Sequence, residues 1–298
     1  MLRSGRCVAR DLLHEGASFT MKTLLVLMAM LVAVTSYAQT KVRVAGLTEG
    51  PDPAPVLHVW GGQPVELALE VTATEASHKA SVRATVYQLA GAIAAPVGQS
   101  IPVVQEVVFA HSLAHFESWK LTLPGVRHPT SFEVRFAAQA EGNGAWKPAG
   151  SARVVAYPAD LGAQLKEMVA AAQTNGAGRI AVFGTSAELK AALQSISIPF
   201  ADAGEAPPDE LDPALVYLGQ GNAREIESIA AQVRSPGRLM IFTQDPERLP
   251  GVYRTDSRGG FVMKVTLPLL PNFAHSPQNQ NALFALLRDA LQIAKTDP

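Results

Sequence analysis

Two glycines and an acidic residue in the second half of the chain have the spacing of a nucleotide-binding turn. Gly219 and Gly221 follow an apolar run that is typical of a buried strand, and Asp245 comes after the next such run. In dinucleotide-binding domains the glycines admit a pyrophosphate and the acid binds a ribose hydroxyl. Arg224, however, stands where a third glycine would allow close helix–strand packing. A turn followed by a helix cap is the simpler interpretation, and we predict no bound cofactor.

The positions that could hold a catalytic nucleophile carry unsuitable residues. An esterase-type elbow places Ser or Cys between two glycines, whereas Gln220 occupies that position here and cannot attack a carbonyl. Ser186 follows another predicted strand, lacks the flanking glycine and is explained by a helix cap. His275 precedes the predicted cap residue Ser276, which favours a local structural role. We therefore predict no catalytic residue and no enzymatic activity.

Two histidines and two tryptophans in the first half raise the questions of metal binding and sugar binding. The i, i+4 spacing of His111 and His115 brings two rings together on a helix, but the segment shows little sign of a helical period. Trp60 and Trp146 lie near predicted turns, where exposed rings could bind a glycan, although packing at a sheet edge is the alternative. We predict no metal site, and glycan binding stays an alternative function.

The composition describes a folded chain with balanced charge. Of 298 residues, 48% are hydrophobic and 17% are charged, which argues against a disordered chain. Lys and Arg number 25 against 26 Asp and Glu, so the chain has no basic excess that would indicate a nucleic-acid partner. One cysteine excludes an intramolecular disulfide framework and a cysteine-rich metal site. The length suits two domains.

The segment 21–38 has the pattern of a secretory signal peptide. A lysine precedes the apolar run 24–34, and Ser36-Tyr37-Ala38 fits a small-x-small cleavage site. This run is shorter than a membrane span requires. We predict that residues 1–20 come from a misassigned start codon. We also predict export to the periplasm or, alternatively, to the outside of the cell, with no transmembrane anchor after cleavage.

Residues 39–157 show the short-period alternation of a β-sandwich. Apolar and polar residues alternate along short runs separated by turn residues. Trp119 alternates with Leu121 and Leu123 and is a predicted core residue. Because no cysteine pair accompanies this tryptophan, the pattern favours an immunoglobulin-like or fibronectin-like sandwich that is not of the antibody type. The predicted strands are 41–47, 56–60, 65–73, 81–89, 101–109, 116–123, 131–139 and 152–157.

Residues 158–298 change to alternating helices and buried strands. Such alternation is typical of a mainly parallel sheet with helices on its faces. The last two strands flank a Gly-containing loop and predict a hairpin. The fold class is therefore multidomain: a sandwich followed by a small three-layer α/β domain. The predicted helices are 161–172, 187–195, 225–233 and 278–294, and the predicted strands are 179–184, 198–201, 214–218, 238–243, 251–255 and 261–267.

The order of elements over about 178–292 resembles the YfiR-type periplasmic repressor family. The resemblance lies in the strand RIAVFG with its capped helix, the strands ALVYL and RLMIFT, the hairpin GVYRTDSRGGFVMKVTL and the leucine-rich final helix. It implies a non-enzymatic domain that dimerises in the periplasm and holds an inner-membrane diguanylate cyclase inactive. The α/β alternation is also similar to degenerate amidotransferase-like domains of some extracellular proteins, which implies a domain without catalysis.

Together these observations predict an exported, non-enzymatic regulator or interaction protein of the cell envelope. Its expected partner is another envelope protein, such as an inner-membrane signalling protein, and a homodimer is compatible with the resemblance. The alternatives are a secreted module that binds glycan or envelope polymer, and a degenerate amidotransferase-like domain.

Overall fold

The computed structural model describes most of the chain from residue 40 onward, in eleven stretches. Its architecture is rich in β-strands, with mixed sheets and few helices in the described part. The predicted signal peptide 21–38, the predicted helix 225–233 and the residues His111, Ser186, Arg224 and Asp245 lie outside the description. The described residues are 40–45, 56–74, 78–109, 113–140, 144–174, 179–184, 187–205, 211–221, 237–243, 249–257 and 260–292.

The first part of the chain forms two sheets. Strands β1, β3 and β7 pair antiparallel in one sheet of three strands. The second sheet has six strands in the order β2-β9-β8-β4-β5, and β6 also pairs with β4. All of its pairs are antiparallel except β2 with β9. The strands are β1 (Thr40–Val44), β2 (Val56–Trp60), β3 (Pro64–Ala73), β4 (His78–Ala90), β5 (Ile93–Pro96), β6 (Ile101–Phe109), β7 (Ala114–Thr122), β8 (Thr130–Ala140) and β9 (Lys147–Tyr157).

Both of these sheets contribute side chains to one hydrophobic core. Leu69 on β3 and Phe136 on β8 belong to the same buried cluster, although their strands lie in different sheets. Trp119 is 6% exposed, and its ring meets that of Phe136 edge to face with 6.0 Å between centroids. The prediction that Trp119 is a core residue is confirmed.

Strand β9 begins five residues earlier than predicted because a bulge interrupts its alternation. Phe136 pairs with Gly150 and Ala137 with Pro148, which leaves Ala149 as the extra residue. Gly150 has a φ of 153°, and a Cβ there would overlap the carbonyl oxygen of Val42 on β1. The glycine therefore allows β1 and β9 to touch where the bulge bends the strand.

The second part of the chain forms a six-stranded sheet in the order β11-β10-β12-β13-β15-β14. Neighbours pair in parallel except β14 and β15, which form the predicted antiparallel hairpin. The predicted strand 198–201 is reduced to the two residues Ala201 and Asp202, so it ends one position later than predicted. The elements are α1 (Leu161–Thr174), β10 (Arg179–Phe183), α2 (Ala187–Ser195), β11 (Ala201–Asp202), β12 (Leu215–Gln220), β13 (Arg238–Phe242), β14 (Val252–Ser257), β15 (Gly260–Val265) and α3 (Pro277–Gln292).

One face of this sheet carries a core that includes all three described helices. Leu165 of α1, Leu189 of α2 and Leu287 of α3 are buried with Met240 and Phe261 of the sheet. A smaller buried cluster, which includes Tyr217 and Ile241, lies on the opposite face. Helix α3 also contacts β2 and β9, so the two parts of the chain touch.

Candidate functional site

A crevice lies over the carboxyl ends of the parallel strands in the second part of the chain. Strand β10 lies between β11 and β12. The strand that follows β10 in sequence pairs on one side of it, and the next strand, β12, pairs on the other side, so the direction of the strand order reverses at β10. In open parallel sheets such a reversal leaves a crevice at the carboxyl edge, where ligands bind. The lining residues are Glu188, Gln220, Phe242, Thr243 and the segment 267–271, around an empty volume of about 270 Å³ that includes open solvent.

Thr243 is among the lining residues of this crevice, although the alternation of β13 places its side chain on the face of Ile241, opposite Phe242. It directly follows β13, is 7% exposed, and its backbone N–H donates to the Val265 carbonyl at 3.0 Å. Its Oγ1 is buried and has no hydrogen-bond partner within the described part of the chain. A buried hydroxyl without a partner costs about 1–3 kcal/mol. The position is therefore unfavourable for stability.

Glu188 gives the crevice a negative charge. It lies in the first turn of α2, where a carboxylate interacts favourably with the helix dipole. Gln220 at the end of β12 donates from Nε2 to Glu188 Oε2 at 3.3 Å, which orients both side chains. Among the described residues that line the crevice, Glu188 is the one that can ionise.

The wall of the crevice between β15 and α3 is held in place from behind. Asn279 donates from Nδ2 to the carbonyls of Pro268 and Pro271, at 3.4 and 3.2 Å. Leu269 is buried in the core beneath the wall. This side of the crevice is apolar and is formed without a ligand.

The nucleotide candidates Gly219 and Gly221 both take part in the pairing of strand β12. Strand β12 extends through Gln220, so Gly219 lies inside the sheet, paired with Phe183 and Ile241. A Cβ at Gly219 would overlap the Phe183 ring, which explains the glycine by packing. The N–H of Gly221 donates to the Phe242 carbonyl at 3.2 Å and continues the ladder. Strand β12 therefore ends two residues later than predicted, and the helix cap predicted after it lies outside the described residues.

The remaining residues considered for catalysis or metal binding stand apart from one another. Ser276 caps α3, because its hydroxyl accepts a hydrogen bond from the Asn279 N–H at 3.2 Å; His275 beside it is exposed. His115 lies on β7 and pairs with Glu117 at 3.2 Å. Within the described residues no group of three or more His, Cys, Asp or Glu could hold a metal ion.

The two candidate aromatic residues for glycan binding lie far apart. Trp60 pairs with Tyr157 at the carboxyl end of β9, and Trp146 directly precedes the other end of that strand. At about 3.3 Å per residue the two ends are roughly 30 Å apart. Both rings are half-buried, and Arg83 covers Trp146 with its guanidinium carbon 4.3 Å from the ring centroid. These tryptophans do not form one sugar-binding platform.

A histidine–tyrosine pair joins two strands of the first six-stranded sheet. His58 Nδ1 and the Tyr157 hydroxyl form a hydrogen bond of 2.9 Å between β2 and β9, the two strands that α3 contacts. Burial lowers the pKa of His58 from its ordinary value of 6.5 and raises the pKa of Tyr157. The neutral imidazole is therefore the form that the fold favours at this junction.

Acidification is expected to destabilise the protein through His58. Because the folded pKa of His58 lies below that of the unfolded chain, the unfolded state binds more protons, and stability falls as the pH drops below 6.5. We expect the melting temperature of His58→Gln to decline less than that of the wild type between about pH 7 and pH 5. The exposed His128→Gln is the matched control and should keep the wild-type slope. Identical slopes for all three proteins would contradict this assignment.

The comparisons with known proteins assign no family to the chain. No family model and no curated protein matches it. Solved structures match parts of it. The sporulation control protein Spo0M from Bacillus subtilis is 13% identical with a TM-score of 0.29, over 46% of this chain and 55% of that one. A Niemann-Pick type C2 protein from the Japanese carpenter ant is 8% identical with a TM-score of 0.27, over 41% and 92%. The periplasmic chaperone SfaE is 9% identical with a TM-score of 0.27, over 40% and 57%.

These similarities carry no argument about the function. The TM-scores are low, and the chain spans about half the length of the first of these structures. None of the described helices has both the length and the apolar character that a membrane span requires.

Proposed function

We propose that the chain is an exported, non-enzymatic regulator of the cell envelope that binds a partner protein through strand β14. In this proposal an immunoglobulin-like sandwich is followed by an α/β domain, and the α/β domain carries the interaction. The observation that carries the proposal is the open edge that β14 presents to solvent.

Strand β14 is the last strand at its side of the described sheet. Its residues Val252–Asp256 are exposed on both faces. The Thr266 N–H donates to the Gly251 carbonyl, and bonded pairs alternate along antiparallel strands. The backbone groups of Val252, Arg254 and Asp256 therefore point away from β15, toward the position of an added strand. Such an edge supports recognition by strand addition.

The side chains around this edge are apolar at one end, and at the other end they form a network of ion pairs. Leu249 is 81% exposed, Val252 42% and Tyr253 37%. Arg254 donates to Asp256 and Asp289, at 2.7 and 3.2 Å, so its charge is balanced within the chain. Exposed apolar side chains beside unpaired backbone favour a protein partner over a charged polymer.

The proposed partner is an inner-membrane signalling protein, such as a diguanylate cyclase whose exported part contacts this domain. The resemblance of the element order to periplasmic repressors supports this choice, and the predicted signal peptide supports the compartment. We propose that the bound regulator holds its partner inactive, with no chemistry of its own.

A charge on the open edge is expected to abolish this regulation. Val252→Lys places an ammonium group at the edge. Natural sheets carry charged side chains, lysine above all, on their edge strands, and these prevent the addition of another strand. With this variant, we expect the amount of signalling protein recovered in a crosslinked pull-down from native envelope to fall at least tenfold. We also expect the cellular concentration of cyclic-di-GMP to rise to the level of a strain that lacks the protein. Ile93→Lys on β5 is the matched control, since Ile93 is also an exposed strand residue, in another sheet.

The control variant should retain both the partner and the low cyclic-di-GMP level. Recovery of polysaccharide or outer-membrane material alone would overturn the proposal and favour the glycan-binding alternative. Equal partner recovery by Val252→Lys and the wild type would exclude β14 as the contact.

A further inference from the structure

We infer that the outer face of the first six-stranded sheet binds a linear acidic polysaccharide through Arg83, Arg135 and Arg153. This goes beyond the proposed function, because these arginines lie on β4, β8 and β9, in a different sheet from β14. The inference rests on the row that the three arginines form, on the way their guanidinium groups are held, and on the hydroxyl groups beside them.

Strand alternation places the three arginines on the outer face of the sheet. Val82 and Ala84 flank Arg83 along β4, and both are buried in the core between the two sheets. Successive side chains of a strand point to opposite faces, so Arg83 points away from this core. The other two arginines also lie between buried neighbours, which are Val134, Phe136, Ala152 and Val154.

The strand register sets the arginines in a diagonal row. Arg153 pairs with Glu133 on β8, and Arg135 lies two residues further along that strand. Arg135 in turn pairs with Thr85 on β4, and Arg83 lies two residues from Thr85 in the same direction across the sheet. Diagonal neighbours of this kind are about 7–8 Å apart. Three cationic side chains therefore follow one another across three adjacent strands.

Two aromatic rings and a carboxylate hold two of the guanidinium groups in place. The guanidinium carbon of Arg83 lies 4.3 Å from the centroid of the Trp146 ring. That of Arg135 lies 4.3 Å from the centroid of the Tyr87 ring. Arg135 also donates to Oε2 of Glu133, from Nε at 2.9 Å and from Nη2 at 2.7 Å. These bonds use two of its five N–H groups, so the remaining three can bind another acceptor.

The charge of the row favours an anionic ligand. Glu133 balances the charge of Arg135, whereas Arg83 and Arg153 have no ion-pair partner among the described residues. A guanidinium group binds a carboxylate through two parallel hydrogen bonds. The row therefore suits a ligand that carries carboxylates at intervals along its length.

The surroundings of the row favour a sugar polymer over a protein or a membrane. Thr85 and Ser151 lie beside Arg135 on the two neighbouring strands, and their hydroxyls can bond to those of a sugar. The exposed large apolar residues of the described part all lie on elements other than β4, β8 and β9. Protein interfaces have an apolar centre, and membrane attachment requires buried apolar area in addition to charge. A chain of acidic sugars supplies the carboxylates and the hydroxyls together.

The test is isothermal titration calorimetry of the purified full chain with three probes. These are polygalacturonate as the linear acidic polysaccharide, dextran as a neutral one, and vesicles of phosphatidylglycerol as an anionic membrane. We expect saturable binding of polygalacturonate that weakens at least about tenfold between 50 and 300 mM salt, because the contacts are exposed to solvent and screened. Dextran should not bind. Equal binding of dextran, or binding of the vesicles without binding of polygalacturonate, would overturn the inference.

Variants of the unpaired arginines test the row itself. Arg83→Gln and Arg153→Gln should each weaken the binding of polygalacturonate about threefold to fivefold, and the double variant about tenfold. Arg43→Gln is the matched control, because Arg43 is an exposed arginine on β1 of the other sheet and is paired with Glu70. It removes the same charge and should bind like the wild type. Equal weakening by Arg43→Gln would show that net charge, rather than this row, attracts the polymer and would refute the site.

Two further variants separate this site from fold defects and from the proposed function. Arg153→Lys keeps the charge and should retain most of the affinity, so a loss as large as that of Arg153→Gln would contradict recognition by charge. Val252→Lys should bind polygalacturonate like the wild type, because β14 lies in another sheet. Failure of either proposal is thereby distinguished from failure of the other.

Discussion

Replacing Gly260 by alanine is expected to lower the free energy of unfolding by about 3 kcal/mol. Gly260 begins β15, and a Cβ at this position would overlap the backbone of Gly237, which precedes β13. The Phe261 N–H donates to the Gly237 carbonyl at 3.0 Å, so the two strands cannot separate without losing this bond. The obstacle is backbone rather than a flexible side chain, and the sheet itself must shift.

Gly251→Ala is the matched control for this substitution. Gly251 lies at the start of the same hairpin, and a Cβ there would meet only the Tyr253 ring, at 3.6–3.7 Å, which is ordinary contact. We expect its stability to remain within about 1 kcal/mol of the wild type. Chemical denaturation followed by circular dichroism measures both variants. Equal stabilities of the two would show that β13 and β15 do not approach as described.

Replacing Trp119 by alanine is expected to cost about 3–5 kcal/mol. This ring is 6% exposed and joins the three-stranded sheet to Phe136 of the six-stranded sheet. Its removal leaves a cavity between two sheets whose described strands are not paired with one another, so neighbouring strands cannot easily close it. The loss therefore measures how strongly packing alone holds the two sheets together.

Trp146→Ala serves as the control for Trp119→Ala. Trp146 is half-buried, and its described contact is with the guanidinium of Arg83. A cation–π contact at a partly exposed site contributes about 1 kcal/mol, so the expected loss is of that size.

Calorimetry of Trp119→Ala and Gly260→Ala also tests the predicted domain boundary. Separate domains predict that each variant lowers a different transition, whereas a single shared transition would contradict that prediction.

Element positions could be predicted wherever side chains alternate or repeat without interruption. The strands 56–60 and 101–109 and the helix 187–195 occur at the predicted bounds. Strand β5 was beyond prediction because its sequence, IAAP, is exposed at three of its four residues and shows no inward face. The bulge at Ala149 conceals the beginning of β9 in the same way, since it breaks the period on which the prediction depends.

The candidate site was less accessible to sequence reasoning than the fold. The glycine spacing after ALVYL suggests a turn. In the structure, the Phe183 ring leaves no room for a side chain at position 219, and this contact comes from the neighbouring strand. Thr243 carried a signal: it is a polar residue at the carboxyl end of the apolar strand RLMIF. Its missing hydrogen bond depends on tertiary packing, which no periodicity records.

The parallel pairing of β2 with β9 has a consequence for the order of folding. The bond between His58 and Tyr157 joins residues 99 positions apart, and β9 is the last strand of its sheet to emerge during synthesis. Until then β2 lacks its neighbour and exposes an unpaired edge. Contacts of such high sequence separation slow folding, because the chain must close a long loop before it gains the pairing. The general expectation for such a topology is that the first half of this protein is most open to aggregation before Tyr157 is available.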